Sequence, residues 1–351
     1  MNYSEKIAGY TLKENPVILA IESSCDETAC AILQGRTNLL SSEIESSVTE
    51  HMKFGGVVPE IASRAHTTAV SIVVKRALEK AGKTLKDIDA VAVTYGAGLL
   101  GALLVGVSYA KALAFSLGVP LIPVSHIRGH LAAGYLADPL LKPPFVSLLA
   151  SGGHTAIIKV ENYNEFRYIG GTLDDAVGEA FDKVARVLGL SYPGGPNIEK
   201  LATKGQNNIV FPKMLKGKDN FDFSYSGLKT AVINYVHNTE SRGQTVNKAD
   251  VACSFQHSAV DVLVQKIVKA TLQLGLDTIT AGGGVIANGY LRSALQSECD
   301  KAGLKLVLPA KNMCTDNAAM IASEGYIQYI NKNFANLELN ASARVALDFV
   351  K

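Results

Sequence analysis

The chain has 351 residues, 48% of them hydrophobic and 19% charged, with no tryptophan and a net charge of +2. That is enough chain for two domains or one large one, too apolar for disorder, and without the basic excess of a strong nucleic-acid footprint. The five cysteines are odd in number, scattered and free of any C-x-x-C spacing, which predicts reduced thiols in a cytoplasmic protein.

Residues 1–16 carry both Lys and Glu without an apolar core, so they read as neither signal nor transit peptide. Val17–Ile21 and Thr28–Leu33 are short apolar runs around the polar turn Glu22-Ser-Ser-Cys-Asp-Glu27, the pattern of a β-hairpin. Pro59 to Ala81 reads as a helix, with Pro in its first turn and Gly82 just past its end. Ala90 to Ala110 holds no charge, but a β-like start and four glycines predict a strand, a glycine turn and a buried helix rather than a membrane span. Strand Val91–Thr94, helix Leu99–Leu117 and strand Leu121–Val124 make a βαβ unit. A second hairpin, Phe145–Ala150 and Ala156–Val160 around Ser151-Gly-Gly-His-Thr155, resembles the first. Helices at Ala176–Leu188, Lys248–Leu274 and Gly289–Ala302, strands at Asp277–Ala281 and Lys305–Leu308, and a last helix from Thr315 follow. Ala202 to Asn220 is polar, with Lys213, Lys216 and Lys218, and reads as an exposed loop. Two hairpin-led α/β halves predict a duplicated, two-lobed fold.

His126 and His130 stand four apart where a strand passes into a helix, so both imidazoles share one helical face at the rim usual for α/β active sites. Two ligands do not close a metal site. Asp316, beside Asn317 ahead of an apolar run, is a third candidate at a helix N-terminus. Ile127 follows His126 where a zinc peptidase needs its Glu base, so the pair is not that motif. Gly282-Gly-Gly284, with Asn288 entering a helix, lets a nucleotide approach the backbone; valine at Gly283 is expected to block the ligand with little change to folding. Tyr192-Pro-Gly-Gly-Pro196 reads as a rigid loop whose Gly195 can wall a ligand. Asp182, on a helix, is expected to be solvated, and Asp26 and Glu27 to occupy a solvated turn unless a shared cleft recruits them.

In series these motifs, together with Gly55-Gly-Val-Val-Pro-Glu-Ile-Ala-Ser-Arg-Ala-His66, resemble the TsaD family of tRNA N6-adenosine threonylcarbamoyltransferases from about residue 17 to about residue 330. The resemblance implies an α/β, duplicated two-lobed actin/Hsp70/sugar-kinase-like fold with the active site in the interlobe cleft. Residues 17–124 would form the first lobe, with the helix from about 315 packing back on it, and 125–314 the second; 1–16 lie outside the match. It implies that His126, His130 and Asp316 bind one divalent metal ion, Fe2+ or alternatively Zn2+. It also implies that Leu149, Ala150, Ser151, Gly152, Gly153, Asp182, Gly195, Glu199 and Asn288 contact threonylcarbamoyl-AMP; many relatives carry Asp where Glu199 stands.

The activity so implied is transfer of threonylcarbamoyl from that adenylate to the N6 amine of adenosine 37 in tRNAs reading codons that start with A, releasing AMP. Asp26 or Glu27 is the candidate base. Implied partners are tRNA, a paralogous same-fold protein of TsaB type, a small ATPase of TsaE type and a separate threonylcarbamoyl-AMP synthase, with no membrane. An ATPase or phosphotransferase of the same fold is the alternative, though it gives no reason for the histidines; a metallopeptidase comes third.

Overall fold

The computed structural model describes residues 2–212 and 220–345, which divide into two compact units, one of residues up to 141 together with 316–345 and one between 142 and 315. Lys213, Lys216 and Lys218 lie outside the described residues.

The first unit begins with a short helix α1 (Tyr3–Ala8) and three strands, β1 (Val17–Glu22), β2 (Glu27–Gln34) and β3 (Asn38–Ser46). A helical turn α2 (Val48–His51), helix α3 (Pro59–Ala81), strand β4 (Ala90–Gly96), helix α4 (Leu100–Leu117), strand β5 (Leu121–Ser125) and helix α5 (His126–Ala137) follow. The sheet order is β3-β2-β1-β4-β5, antiparallel among the first three and parallel from β1 outward.

The second unit repeats this wiring. Strands β6 (Phe145–Ala150), β7 (Thr155–Val160) and β8 (Phe166–Gly171) form an antiparallel meander, and β9 (Thr278–Gly282) and β10 (Lys305–Val307) add in parallel beside β6. Its helices are α6 (Val177–Val187), α7 (Gly194–Ala202), α8 (Ser226–Ser241), α9 (Lys248–Gln273) and α10 (Gly289–Ala302). Helix α11 (Ala318–Ile330) belongs to the first unit.

β1 and β4 read as unbroken apolar runs because helices cover both faces of their sheet. Leu19, Ile21, Val91 and Val93 meet Val70, Val73 and Val74 of α3 and Val107 and Ala110 of α4 in one core. On the other face Gly325 of α11 comes so close to Ala92 and Ile18 that a side chain would collide with Ala92. α4 is long and apolar enough to cross a bilayer by length and composition, yet only one face is buried; Leu100, Leu104 and Phe115 are exposed.

The expected division after residue 124 is displaced: residues 125–141, with both histidines, belong to the first unit. β3 and β8 are edge strands with mixed burial, too polar to stand out as apolar runs. The expected loop at 192–196 is partly helix, since α7 starts at Gly194, and Pro196 is tolerated because first-turn N–H groups have no helical partner.

α5 and α11 are joined by Arg128 Nε donating to Glu324 Oε1 at 2.6 Å, with Glu324 2% exposed and also bonded by Gln328. Arg128→Ala leaves that carboxylate without its cation, which should cost about 3 kcal/mol in urea unfolding; a loss below about 1 kcal/mol, the range of exposed ion pairs, would show the pair does not hold the helices together.

Candidate active site

β5 ends at Ser125 and α5 begins at once with His126, so His126 and His130 project from the first turns of a helix at the carboxyl end of a parallel strand. Asn317 caps α11 through a bond from Met320 N, leaving Asp316 one residue before the cap. Nε2 of His126 and of His130 lie 3.5 and 3.2 Å from Asp316 Oδ1. The three ligand atoms all fall within 4.8 Å of one another, and the histidines are 7% and 2% exposed. His130 Nε2 is buried and misaligned for a hydrogen bond, an orphaned nitrogen with its lone pair or proton toward a carboxylate. Two imidazole nitrogens and one carboxylate oxygen are the ligand chemistry of Fe2+ or Zn2+, so the residues fit the expected metal.

The electrostatics agree with a site that attracts positive charge. Burial opposes protonation of His126, but Asp316 and Glu22 outweigh it and raise its pKa to about 9. His130 is lowered, chiefly by burial, with Asp316 only partly offsetting.

Asp26 sits in the hairpin turn of the same unit and Glu27 opens β2, and the expected solvated turn is half-buried. Ser47 N and Oγ both donate to the Asp26 carbonyl, and His66 Nε2 lies 3.0 Å from the Cys25 carbonyl, so the turn is pinned from two sides. Burial raises the pKa of Asp26. Burial, then the Asp26 charge, raises Glu27 to about 7, with Ser46 Oγ bonded to one oxygen and the other buried without a partner.

In the second unit the remaining candidates form a connected set. Leu149 and Ala150 are buried strand residues leading into Ser151, whose Oγ accepts from His154 N. The start of α6 packs on this turn, Gly178 N donating to Ser151 O. Asp182 is not solvated as expected: its Oδ1 accepts from Gly194 N at 2.7 Å, fastening the start of α7. Glu199 Oε1 accepts from Gly289 N at 2.8 Å, and Asn288 caps α10 through Leu291 N while donating to Gln256. These bonds link Asp182, Glu199 and Asn288 through the starts of α7 and α10 without assigning any of them a ligand.

The glycines separate into two kinds. Gly283 has φ +102°, and a side chain there would overlap the Ala150 carbonyl, so the expectation that valine would spare folding is overturned. Gly152, Gly153 and Gly195 have neither positive φ nor any atom within 4 Å of a would-be Cβ. Nothing in the fold requires glycine at those three positions; close approach of a ligand to bare backbone would.

Glu22, 0% exposed and bonded to His126, and Ser24, 3.1 Å from His126 Nδ1, were given no role by the sequence reading. Their signal was the motif Glu22–Thr28 itself, but a contact spanning over a hundred residues has no local pattern.

The family model for tRNA N6-adenosine threonylcarbamoyltransferase (TsaD) matches residues 38–323. The protein of that name from Clostridium botulinum (strain Kyoto / Type A2) is 51% identical over 337 residues, 96% of this chain and 99% of that one. Among solved structures, full-length HypF in the phosphate- and nucleotide-bound form superposes with a TM-score of 0.60 at 17% identity, covering 92% of this chain and 56% of that chain. The activator of the 2-hydroxyisocaproyl-CoA dehydratase from Clostridium difficile gives 0.51 at 14%, covering 91% and 98%. With the duplicated sheets, these likenesses show the actin/Hsp70/sugar-kinase-like fold.

Glu27 supplies a pH test. Its folded pKa is raised from 4.5 to about 7, so its contribution to stability is full below the unfolded value and is lost as pH rises through about 7. Wild type should therefore lose stability relative to Glu27→Gln between about pH 5 and about pH 8, read from denaturation midpoints. Parallel curves for the two proteins would mean that the carboxyl titrates as an exposed one.

Proposed function

The chain belongs to the tRNA N6-adenosine threonylcarbamoyltransferase family, and from that premise we propose that it moves threonylcarbamoyl from threonylcarbamoyl-AMP to the N6 amine of adenosine 37 in tRNAs reading codons that start with A. The observation that carries this reading is the grouping of His126, His130 and Asp316, for which a phosphotransferase of the same fold has no use.

The N6 nitrogen attacks the carbamoyl carbon; a C–N bond forms, the bond to the phosphate oxygen breaks, AMP leaves, and the amine loses a proton. Asp26 or Glu27 takes that proton, and Glu27, titrating near neutrality, is the better matched to the task. Open backbone at Gly152, Gly153 and Gly195 offers N–H groups to the adenylate's phosphate, with the N-terminus of α6 behind the first two. Asp182 and Glu199 hold the starts of α7 and α10 in place for that contact, together with Leu149, Ala150, Ser151 and Asn288. A divalent ion, Fe2+ or alternatively Zn2+, held by His126, His130 and Asp316 supplies Lewis acidity and a fixed positive charge when bound. An anticodon-loop adenosine is single-stranded and can be splayed from its stack, as this chemistry requires.

A net charge of +2 offers little grip on phosphate, so the reaction draws on partners. The exposed side of α4, with Leu100, Leu104 and Phe115, suits an apolar docking surface for a same-fold paralogue of TsaB type. A small ATPase of TsaE type and a separate threonylcarbamoyl-AMP synthase complete the set. The five unpaired cysteines accord with the cytoplasm.

The test incubates the purified chain with Fe2+, threonylcarbamoyl-AMP and tRNA, with and without such partners, and reads nucleosides by mass spectrometry. Threonylcarbamoyladenosine and AMP should appear in equal amounts, faster with partners. Gly195→Ala should lower the yield at least about tenfold with little change in melting temperature, because its side chain enters space that no protein atom fills. ATP hydrolysis or a phosphorylated product, with no modified nucleoside, would overturn the assignment.

A further inference from the structure

Glu22 ends β1 with its side chain 0% exposed, an expensive place for a carboxylate unless every oxygen is engaged. Oε1 accepts from Ser24 N at 2.6 Å and Oε2 from Thr94 Oγ1 at 2.5 Å. The remaining neighbour of Oε2 is His126 Nδ1 at 3.3 Å, with Ser24 Oγ at 3.1 Å from the same nitrogen. An ionised carboxylate only accepts, so the hydrogen on this side of the imidazole sits on Nδ1. In the neutral ring that leaves the lone pair on Nε2, the nitrogen facing Asp316 at 3.5 Å.

We infer that Glu22 is a positioning residue for the metal site: by accepting from His126 Nδ1 it dedicates Nε2 to the ion. The inference rests on the reading of His126, His130 and Asp316 as ligands. Three consequences follow from the geometry. The ring is fixed about its own axis by a group on β1, independently of α5. Its donor nitrogen becomes more basic, since the partner pulls on the opposite N–H. Glu22 and Asp316 together carry two negative charges, matching a divalent cation.

A purely structural role would make Glu22 a tie between β1 and β4 through Thr94. The two roles separate on substitution. In Glu22→Gln the amide has nearly the same shape, and its oxygen can still accept from Ser24 N. Its NH2 then faces Thr94 and Nδ1, so His126 must accept there and carry its proton on Nε2, where the metal would bind. Thr94→Val removes the tie and keeps the carboxylate.

The experiment titrates the metal-stripped full chain with Co2+, followed by its visible absorption, and with Zn2+ against a chromophoric chelator. Wild type should take up one ion per chain and His126→Ala none. Glu22→Gln should bind about 10- to 100-fold more weakly, the range for loss of such a partner, while Thr94→Val should change affinity less than about threefold. In Zn2+-loaded wild type with 15N-labelled histidine, His126 should show a metal-bound Nε2 and a directly protonated Nδ1, a readout that needs no variant to fold. Unchanged affinity in Glu22→Gln, or metal on Nδ1, would overturn the role of Glu22 alone. No uptake by wild type would overturn the ligand assignment and this inference with it.

Discussion

The first unit is organised around an electrostatic constraint: two carboxylates, Glu22 and Asp316, brought against two buried imidazoles at the carboxyl edge of a sheet. Bringing like charges together in a dry place is unfavourable without positive charge between them. Much of the surrounding architecture keeps these groups from separating. Helix α5 starts without a loop after β5, so His126 cannot swing away from the strand end. Gly129 lets α11 approach until Ile321 and Met320 fill the space beside it, and the Arg128–Glu324 pair fastens the same two helices on another side. Asn317, by capping α11, sets the place of Asp316. Each device is ordinary, and together they fix three candidate ligand atoms, two on α5 and one just ahead of α11, far apart in sequence.

The second unit solves a different problem with glycine. Gly178, Gly194 and Gly283 exist to let backbone meet backbone, between α6 and the Ser151 turn, α6 and α7, and β9 and β6. Gly152, Gly153 and Gly195 have no such neighbour. A binding surface built on bare N–H groups needs the first kind to hold its loops rigid and the second to leave them accessible.

Much of this could be read from the sequence because it is local. Pro59 and Gly82 bracket α3, and short apolar runs around a polar turn mark both hairpins. The spacing of His126 and His130 alone puts them on one helical face. What the sequence does not reveal is either weakly patterned or long-range. The edge strands β3 and β8 alternate too little, and Gly-Gly-Pro disguised the start of α7. The bond from Gly194 to Asp182, the cap from Glu199 onto α10 and the contact of Glu22 with His126 join residues that no periodicity relates. Glycine content likewise does not separate conformation from access: Gly283 and Gly195 look alike in sequence and differ in backbone angle and in what surrounds them.

The central claim is that His126, His130 and Asp316 close on a single ion. Anomalous diffraction from crystals of the purified protein, recorded on either side of the iron and zinc absorption edges, tests it without any variant or assay. The account predicts one peak about 2.0–2.2 Å from both Nε2 atoms and an Asp316 oxygen. A metal peak bonded elsewhere in the molecule, with none among these three side chains, would contradict it.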